Sequence, residues 1–282
     1  MGADLRRAEA MFVAYDSGDV GLIQGFETPG YDPYVGLGEY VLGIKFAEQS
    51  KEMFVIYRDC FKQVTHASNY GMGPDKLIGV LRLKGIDIED INVRGIHKPK
   101  HKAEYFLNGY HERFPAVRGR WQARLREEVR TKRTLYDAFG RRRFFMGRMD
   151  ESLFRIAFSY RPQASVVGIT NRAFRKLDAQ GWKMVLQVHD FVGIEYPLER
   201  KAECYRALQD AFDIPLTLNG KTFTIPLDIK AGPNWRDMKP VVADELAESV
   251  YGVHSPARVA SDVPSVERTD DHLGSAGPEV VH

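Results

Sequence analysis

Between positions 58 and 73 the chain reads RDCFKQVTHASNYGMG, followed by Pro74. Arg58, Lys62, His66 and Tyr70 recur at intervals of four. Four residues advance an α-helix by about 400°, so all four share one slowly drifting face. Two permanent cations a turn apart, then an imidazole and a phenol, describe a surface able to hold a polyanion at one end and a flat ring at the other. An exposed amphipathic face would account for the Arg/Lys pair alone. It accounts less well for the aromatic continuation and for the Gly71-Met72-Gly73-Pro74 stop signal. A long helix is therefore predicted from about Phe46 to Tyr70.

A second constraint comes from LQVHDFVGIE, residues 186 to 195. Leu186, Val188, Phe191, Val192 and Ile194 flank His189-Asp190 as two short strands would flank a turn. Turn chemistry alone explains an Asp at that place. A carboxylate beside an apolar core loses solvation, however, and calls for a metal or another cation.

Composition limits the class. With 282 residues, 44% hydrophobic and 28% charged, the chain can bury a sizeable core. No stretch reaches the apolar length of a membrane span, and Arg6, Arg7 and Glu9 interrupt any signal-peptide pattern, which predicts a cytoplasmic protein with no membrane partner. Cys60 and Cys204 are too few for a disulfide framework and too isolated for a zinc site. The net charge of +2 conceals a basic stripe. Between Arg113 and Arg143 lie Arg118, Arg120, Arg124, Arg126, Arg130, Lys132, Arg133, Arg141 and Arg142, against Glu127, Glu128 and Asp137. Such a stripe is either a solvated face with ion pairs or a surface for a phosphate backbone. After Val242 the balance turns acidic among Ser, Gly and Pro, which predicts a disordered tail over 241–282.

Further helices are predicted at 9–15, 101–114, 116–131, 150–179 and 198–211, with 26–37 as loop. A hairpin is predicted at 132–146, and strands at 183–188, 191–196, 214–218 and 221–230. The irregular alternation favours an α+β fold with helices on one face of an antiparallel sheet.

RDCFKQVTHASNYGMG resembles the fingers-helix motif of family A DNA polymerases, which runs Arg, three residues, Lys, seven residues, Tyr-Gly. LQVHDF resembles their second carboxylate motif, with His-Asp at a palm hairpin. ADLRRAEAMFVAYDSGD resembles the first, in which Asp is followed five residues later by Glu and then by an apolar helix ending in Ser-Gly-Asp; Asp4, Glu9 and Ser17-Gly18-Asp19 match in register. The segments GRRR at 140–143, RIAFSYRPQAS and GPNWRDM are also similar, so the resemblance covers roughly residues 3 to 240.

The resemblance implies an antiparallel palm sheet and a mainly helical fingers subdomain. Residues 1–25 and 151–240 would form the palm, 26–150 the fingers and basic region, and 241–282 a tail. It implies template-directed addition of dNTPs to a primer 3′ end, with two Mg²⁺ ions about 4 Å apart. Asp4, Asp190 and the backbone carbonyl of Leu5 would hold the metal. Lys62 would act with Asp4 and Asp190 in catalysis, and Arg58 and Lys62 would bind the triphosphate. His66 would face the incoming sugar and base, Tyr70 the templating position, and Glu9 the sugar 2′ position, favouring deoxynucleotides. Arg155, Gln163, His189 and Arg142 would touch primer-template DNA.

Three residues depart from the family pattern: Phe191 replaces a second acid, His66 replaces Phe or Tyr, and Ser159 replaces Asn. Only Met1, Gly2 and Ala3 precede Asp4, too few for an ordinary strand of five or six residues. The expectation is therefore a split polymerase needing a separate N-terminal subunit with a thumb, with or without an exonuclease, or a truncated phage-type or bacterial frame. An inactive remnant that only binds DNA and a single-subunit RNA polymerase relative stand as alternatives.

Overall fold

A computed structural model describes residues 1–241. Its strands are β1 (Gly2–Leu5), β2 (Thr134–Tyr136), β3 (Arg142–Phe144), β4 (Lys183–Val188), β5 (Phe191–Glu195), β6 (Leu216–Leu218), β7 (Lys221–Phe223), β8 (Leu227–Ala231) and β9 (Lys239–Pro240). The main sheet runs β4-β5-β1-β8-β9 with every neighbouring pair antiparallel. The other strands form two small hairpins, β2-β3 and β6-β7.

The central strand is the one for which Met1, Gly2 and Ala3 are too few to make an ordinary length. Four residues suffice because β1 is hydrogen-bonded on both sides, Ala3 facing Val192 of β5 and Ile229 of β8. The Ile194 amide donates to the Met1 carbonyl at 2.7 Å, extending the ladder by one residue. Met1, Ala3 and Leu5 are all buried. Two ladders and core burial replace the length that a lone pairing would need.

The helices are α1 (Ala8–Ser17), α2 (Val20–Glu27), α3 (Pro33–Leu42), α4 (Lys51–Asn69), α5 (Pro74–Leu83), α6 (Pro99–Arg113), α7 (Ala123–Lys132), α8 (Glu151–Ala179) and α9 (Lys201–Phe212). α1 is buried around almost its whole circumference and packs against α2, α4 and α8; its uniformly apolar face explains why it lies inside. α3, α4, α5 and α6 pack on one another as a separate helical layer.

Several boundaries differ from the sequence reading, and capping explains most of them. The helix predicted from Phe46 starts at Lys51, because Ser50 caps it by accepting from the Met53 amide at 3.2 Å. Asp19 is the N-cap of α2, and Asp32, taken as loop, is the N-cap of α3 with Pro33 at the first helical position. α4 ends at Asn69, with Gly71 in the left-handed conformation just beyond it, and Gly73 and Pro74 are the N-cap and first residue of α5. The strand expected over 221–230 divides around Pro226, which lacks the amide a ladder needs. Pro162 is accommodated inside α8, as expected. Both cysteines are free and buried. Among the described residues no helix is long and apolar enough to cross a membrane. Apart from Val241, the tail expected over 241–282 lies outside the described residues.

One buried carboxylate ties the halves together. Asp16, near the end of α1, accepts from Trp121 Nε1 at 2.6 Å, from Arg161 of α8 at 2.6 and 3.1 Å, and from Arg124 of α7 at 3.1 Å. Its side chain is 2% exposed, so removing the charge leaves partly buried guanidiniums uncompensated. Asp16→Ala is expected to cost about 3 kcal/mol in urea unfolding; a loss below about 1 kcal/mol would contradict this role.

His111 of α6 is also buried and its Nδ1 has no hydrogen-bond partner. Burial, reinforced by Arg118, pulls its pKa from 6.5 down to about 3. The unfolded chain therefore takes up this proton first, and His111 withdraws stability as pH falls from about 6.5 toward 3. An NMR titration should find the ring neutral at pH 5. A midpoint near 6.5 would show that the site is open to water.

Candidate active site

β1 and the β4-β5 hairpin position the acidic end of a cleft. β1 carries Asp4 directly opposite Asp228 of β8. Asp190 occupies the two-residue turn between Val188 and Phe191, which pair across the hairpin. His189 takes the left-handed conformation that this turn requires, at φ 55°. Asp4 and Asp190, 186 positions apart in the sequence, come within direct electrostatic range. Desolvation, then Asp190 and Asp228, push the Asp4 carboxyl up to about 6. Desolvation also raises Asp190. Without a cation, two carboxylates so placed cannot both ionise easily.

The opposite end is basic. Arg58, Lys62 and His66 of α4 line the same cleft, of about 550 Å³, as Asp4, Leu5, Glu9, Asp190 and Asp228. Lys62 is exposed and makes no ion pair among the described residues. Arg58 is engaged: its Nε donates to Asp32 at 2.8 Å and its Nη1 to Asp59 at 3.3 Å. Burial, then Lys62, lower His66 to about 4, so the ring is neutral at physiological pH. The Tyr70 hydroxyl donates to Glu9, and burial followed by the Glu9 charge raises the phenol far above its ordinary value. Glu9 and Tyr70, 61 positions apart, thus act as one unit at the mouth of α4.

Four residues expected to touch DNA lie outside the cleft. His189 is exposed beside Asp190, the stem of Arg155 lies next to Gly71 at the end of α4, and Gln163 and Arg142 are exposed on α8 and β3. Phe191, the departure from a second acid, stacks on Trp235 at 5.8 Å and fills the space over Gly2, where a Cβ would collide with its ring. Its ring joins the apolar packing over the sheet, on the face of β1 that Gly2 shares with Asp4, and supplies no carboxylate there.

The basic stripe divides on inspection. Arg120 donates to the Ser17 and Gly18 carbonyls at the end of α1, Arg124 pairs with Asp16, Arg126 with Glu151 and Arg141 with Asp137. These cations hold the fold. Arg113, Arg118, Arg130, Lys132, Arg142 and Arg143 form no ion pairs among the described residues and keep their charge available.

Sequence reasoning missed Asp32, Arg7, Tyr34 and Asp228. An N-cap signal, Asp followed by Pro, marked Asp32 as the start of a helix; nothing in the sequence placed it against Arg58. Asp228 sits in an ordinary-looking strand and gains its position only through pairing with β1. It is partly neutralised by an ion pair with Arg6.

The donor set fits a hard divalent cation better than a transition metal. Among the described residues no group of three or more His, Cys, Asp or Glu side chains could hold a metal ion. Asp4 and Asp190 offer carboxylate oxygens alone, the donor type that suits a hard cation completed by water or phosphate.

Comparison with known proteins agrees with this geometry. DNA polymerase I, thermostable, of Thermus filiformis is 27% identical over 251 residues, covering 85% of this chain and 27% of that protein. DNA polymerase I of Deinococcus radiodurans is 28% identical over 251 residues, covering 85% of this chain and 24% of that protein. The chain thus spans about a quarter of the length of these curated relatives. The solved structure of the POL domain of Pol1 from M. smegmatis, in complex with DNA primer-template and dNTP, shares the fold. Its TM-score is 0.62 at 20% identity, over 80% of this chain and 38% of that one. The family model described as DNA polymerase family A matches residues 1–237, and with both carboxylate motifs and the fingers-helix stripe converging on one cleft, the chain belongs to DNA polymerase family A.

Proposed function

We propose that the chain carries the nucleotide-adding centre of a template-directed DNA polymerase, extending a primer 3′ end with dNTPs. The observation that supports this most is the meeting of Asp4 and Asp190 with Arg58 and Lys62 across one cleft. The relative solved with primer-template and dNTP supports the choice of substrates.

In this reading Asp4, Asp190 and the Leu5 carbonyl would hold Mg²⁺, which suits hard oxygens and substrate phosphates. Bound as a pair, the ions would activate the primer 3′-hydroxyl and stabilise the departing pyrophosphate. Lys62 offers an unpaired ammonium to the triphosphate and offsets the charge that grows on the leaving group. Arg58 adds a second cation once its carboxylate partners give way. Glu9, held in place by Tyr70, stands where a sugar 2′ substituent would meet it, and neutral His66 presents a ring to the sugar and base. Arg155, Gln163, His189 and Arg142 would contact the primer-template duplex, joined by the unpaired members of the basic stripe. Residues 1–25 and 151–240 would serve as palm and 26–150 as fingers.

The matched region is 38% of the M. smegmatis polymerase-domain chain. The chain would accordingly work together with a thumb-bearing segment that grips the duplex, in the same polypeptide or in a separate N-terminal subunit.

Primer extension with Mg²⁺, with and without a thumb-bearing polypeptide, tests the reading. Asp190→Asn is expected to slow extension at least a hundredfold, on the order of what losing one transition-state contact costs; retention within about tenfold would remove Asp190 from the chemistry. Glu9→Ala should raise ribonucleotide incorporation relative to deoxynucleotide on the order of tenfold, and an unchanged ratio would end its role in sugar selection.

A further inference from the structure

Arg58 faces the cleft, yet its guanidinium already has a carboxylate. Asp32 Oδ2 accepts from Arg58 Nε at 2.8 Å and from Arg7 Nη2 at 3.0 Å, so two cations share one oxygen. The other oxygen is committed elsewhere. Asp32 Oδ1 accepts from the Tyr34 amide at 2.9 Å and the Val35 amide at 3.4 Å, capping α3. The carboxylate is thereby fixed to the start of a helix and cannot swing aside with either arginine.

The surroundings make this arrangement a competitor for anions. The Tyr34 ring lies within 5.6 Å of the Arg7 guanidinium and 5.8 Å of that of Arg58. Its hydroxyl is buried without a hydrogen-bond partner, and the residue lines the cleft. Burial pushes the phenol up to about 12, so it is a neutral donor across the physiological range. Two guanidiniums that flank one aromatic ring thus converge on a negative charge that the protein itself supplies.

We propose that Asp32 is a built-in competitor for the triphosphate, holding Arg58 and Arg7 on a capped carboxylate until a ligand of higher charge exchanges with it. The proposal rests on the nucleotide reading of the cleft. An exchange of this kind lowers ground-state affinity for nucleotide, and it weighs most heavily on ligands with fewer phosphates, which bring less charge to displace Asp32. Asp32 is a positioning residue that touches Arg58 and Arg7, and the reacting atoms lie elsewhere in the cleft.

Asp32→Asn separates this role from a structural one. Asn caps helices about as well as Asp, so α3 is kept while the charge is removed. Calorimetric binding of dATP with Mg²⁺ to the full chain should become about two- to tenfold tighter in Asp32→Asn, the range that one or two partly exposed ion pairs provide. The thermal midpoint should stay close to that of the wild type. In wild-type protein the Arg58 Nε resonance should shift as dATP is added, reporting the change of partner. Equal or weaker dATP binding in the variant would overturn the competitor role, with the nucleotide reading intact. Absence of saturable dATP binding in both proteins would overturn the nucleotide reading of the cleft and the competitor with it.

Discussion

Hydrogen bonding of β1 on both of its edges is the constraint from which the rest of the cleft follows. The pairing with β8 sets Asp4 across from Asp228, and the pairing with β5 delivers the hairpin turn that carries Asp190. A slip of one residue in either ladder would turn Asp4 into the core and Ala3 toward the cleft, since side chains alternate faces along a strand. Ala3, fully buried between Val192 and Ile229, has no room for a carboxylate and so pins the register. α1, leaving β1 through Arg7, is anchored at its far end by Asp16, which locks α7 and α8 around the same centre.

Charge is arranged with unequal freedom on the two sides of the cleft. The carboxylates crowd one another and desolvate, which makes a divalent cation the natural complement. On the basic side Lys62 is, among the described residues, the cleft cation that forms no ion pair, while Arg58 is shared between Asp32 and Asp59. In the proposed reading a triphosphate would meet the Lys62 ammonium first and gain the arginines by exchange. Much of the arginine content outside the cleft is structural. Arg120, Arg124 and Arg161 bond to the end of α1, which removes them from any count of charges open to a nucleic-acid backbone.

How much of this was legible in the sequence depended on whether the signal was local. The α4 stripe could be read because helical spacing puts Arg58, Lys62 and His66 on one face wherever the helix is packed. The β4-β5 hairpin could be read from apolar runs around His189-Asp190. The strand β1 could not, since its stability comes from two partners about 190 and 225 positions away and not from its own length. Asp32 and Tyr34 were hidden for the same reason: their partners Arg7 and Arg58 come from other elements, and only the capping role of Asp32 is written locally. The division of the basic stripe between structural and open cations was equally invisible, because it depends on which carbonyls and carboxylates happen to face each arginine.

The central claim is that Asp4 and Asp190 form one cation-binding site. Electron paramagnetic resonance of Mn²⁺, a stand-in for Mg²⁺ at oxygen ligands, measures it directly in wild type, Asp4→Asn and Asp190→Asn. The account predicts saturable binding in the wild type and a loss of at least about tenfold in affinity in each variant, since each removes one of two carboxylates. Wild-type affinity in either variant would mean that the two aspartates, though adjacent, do not share an ion.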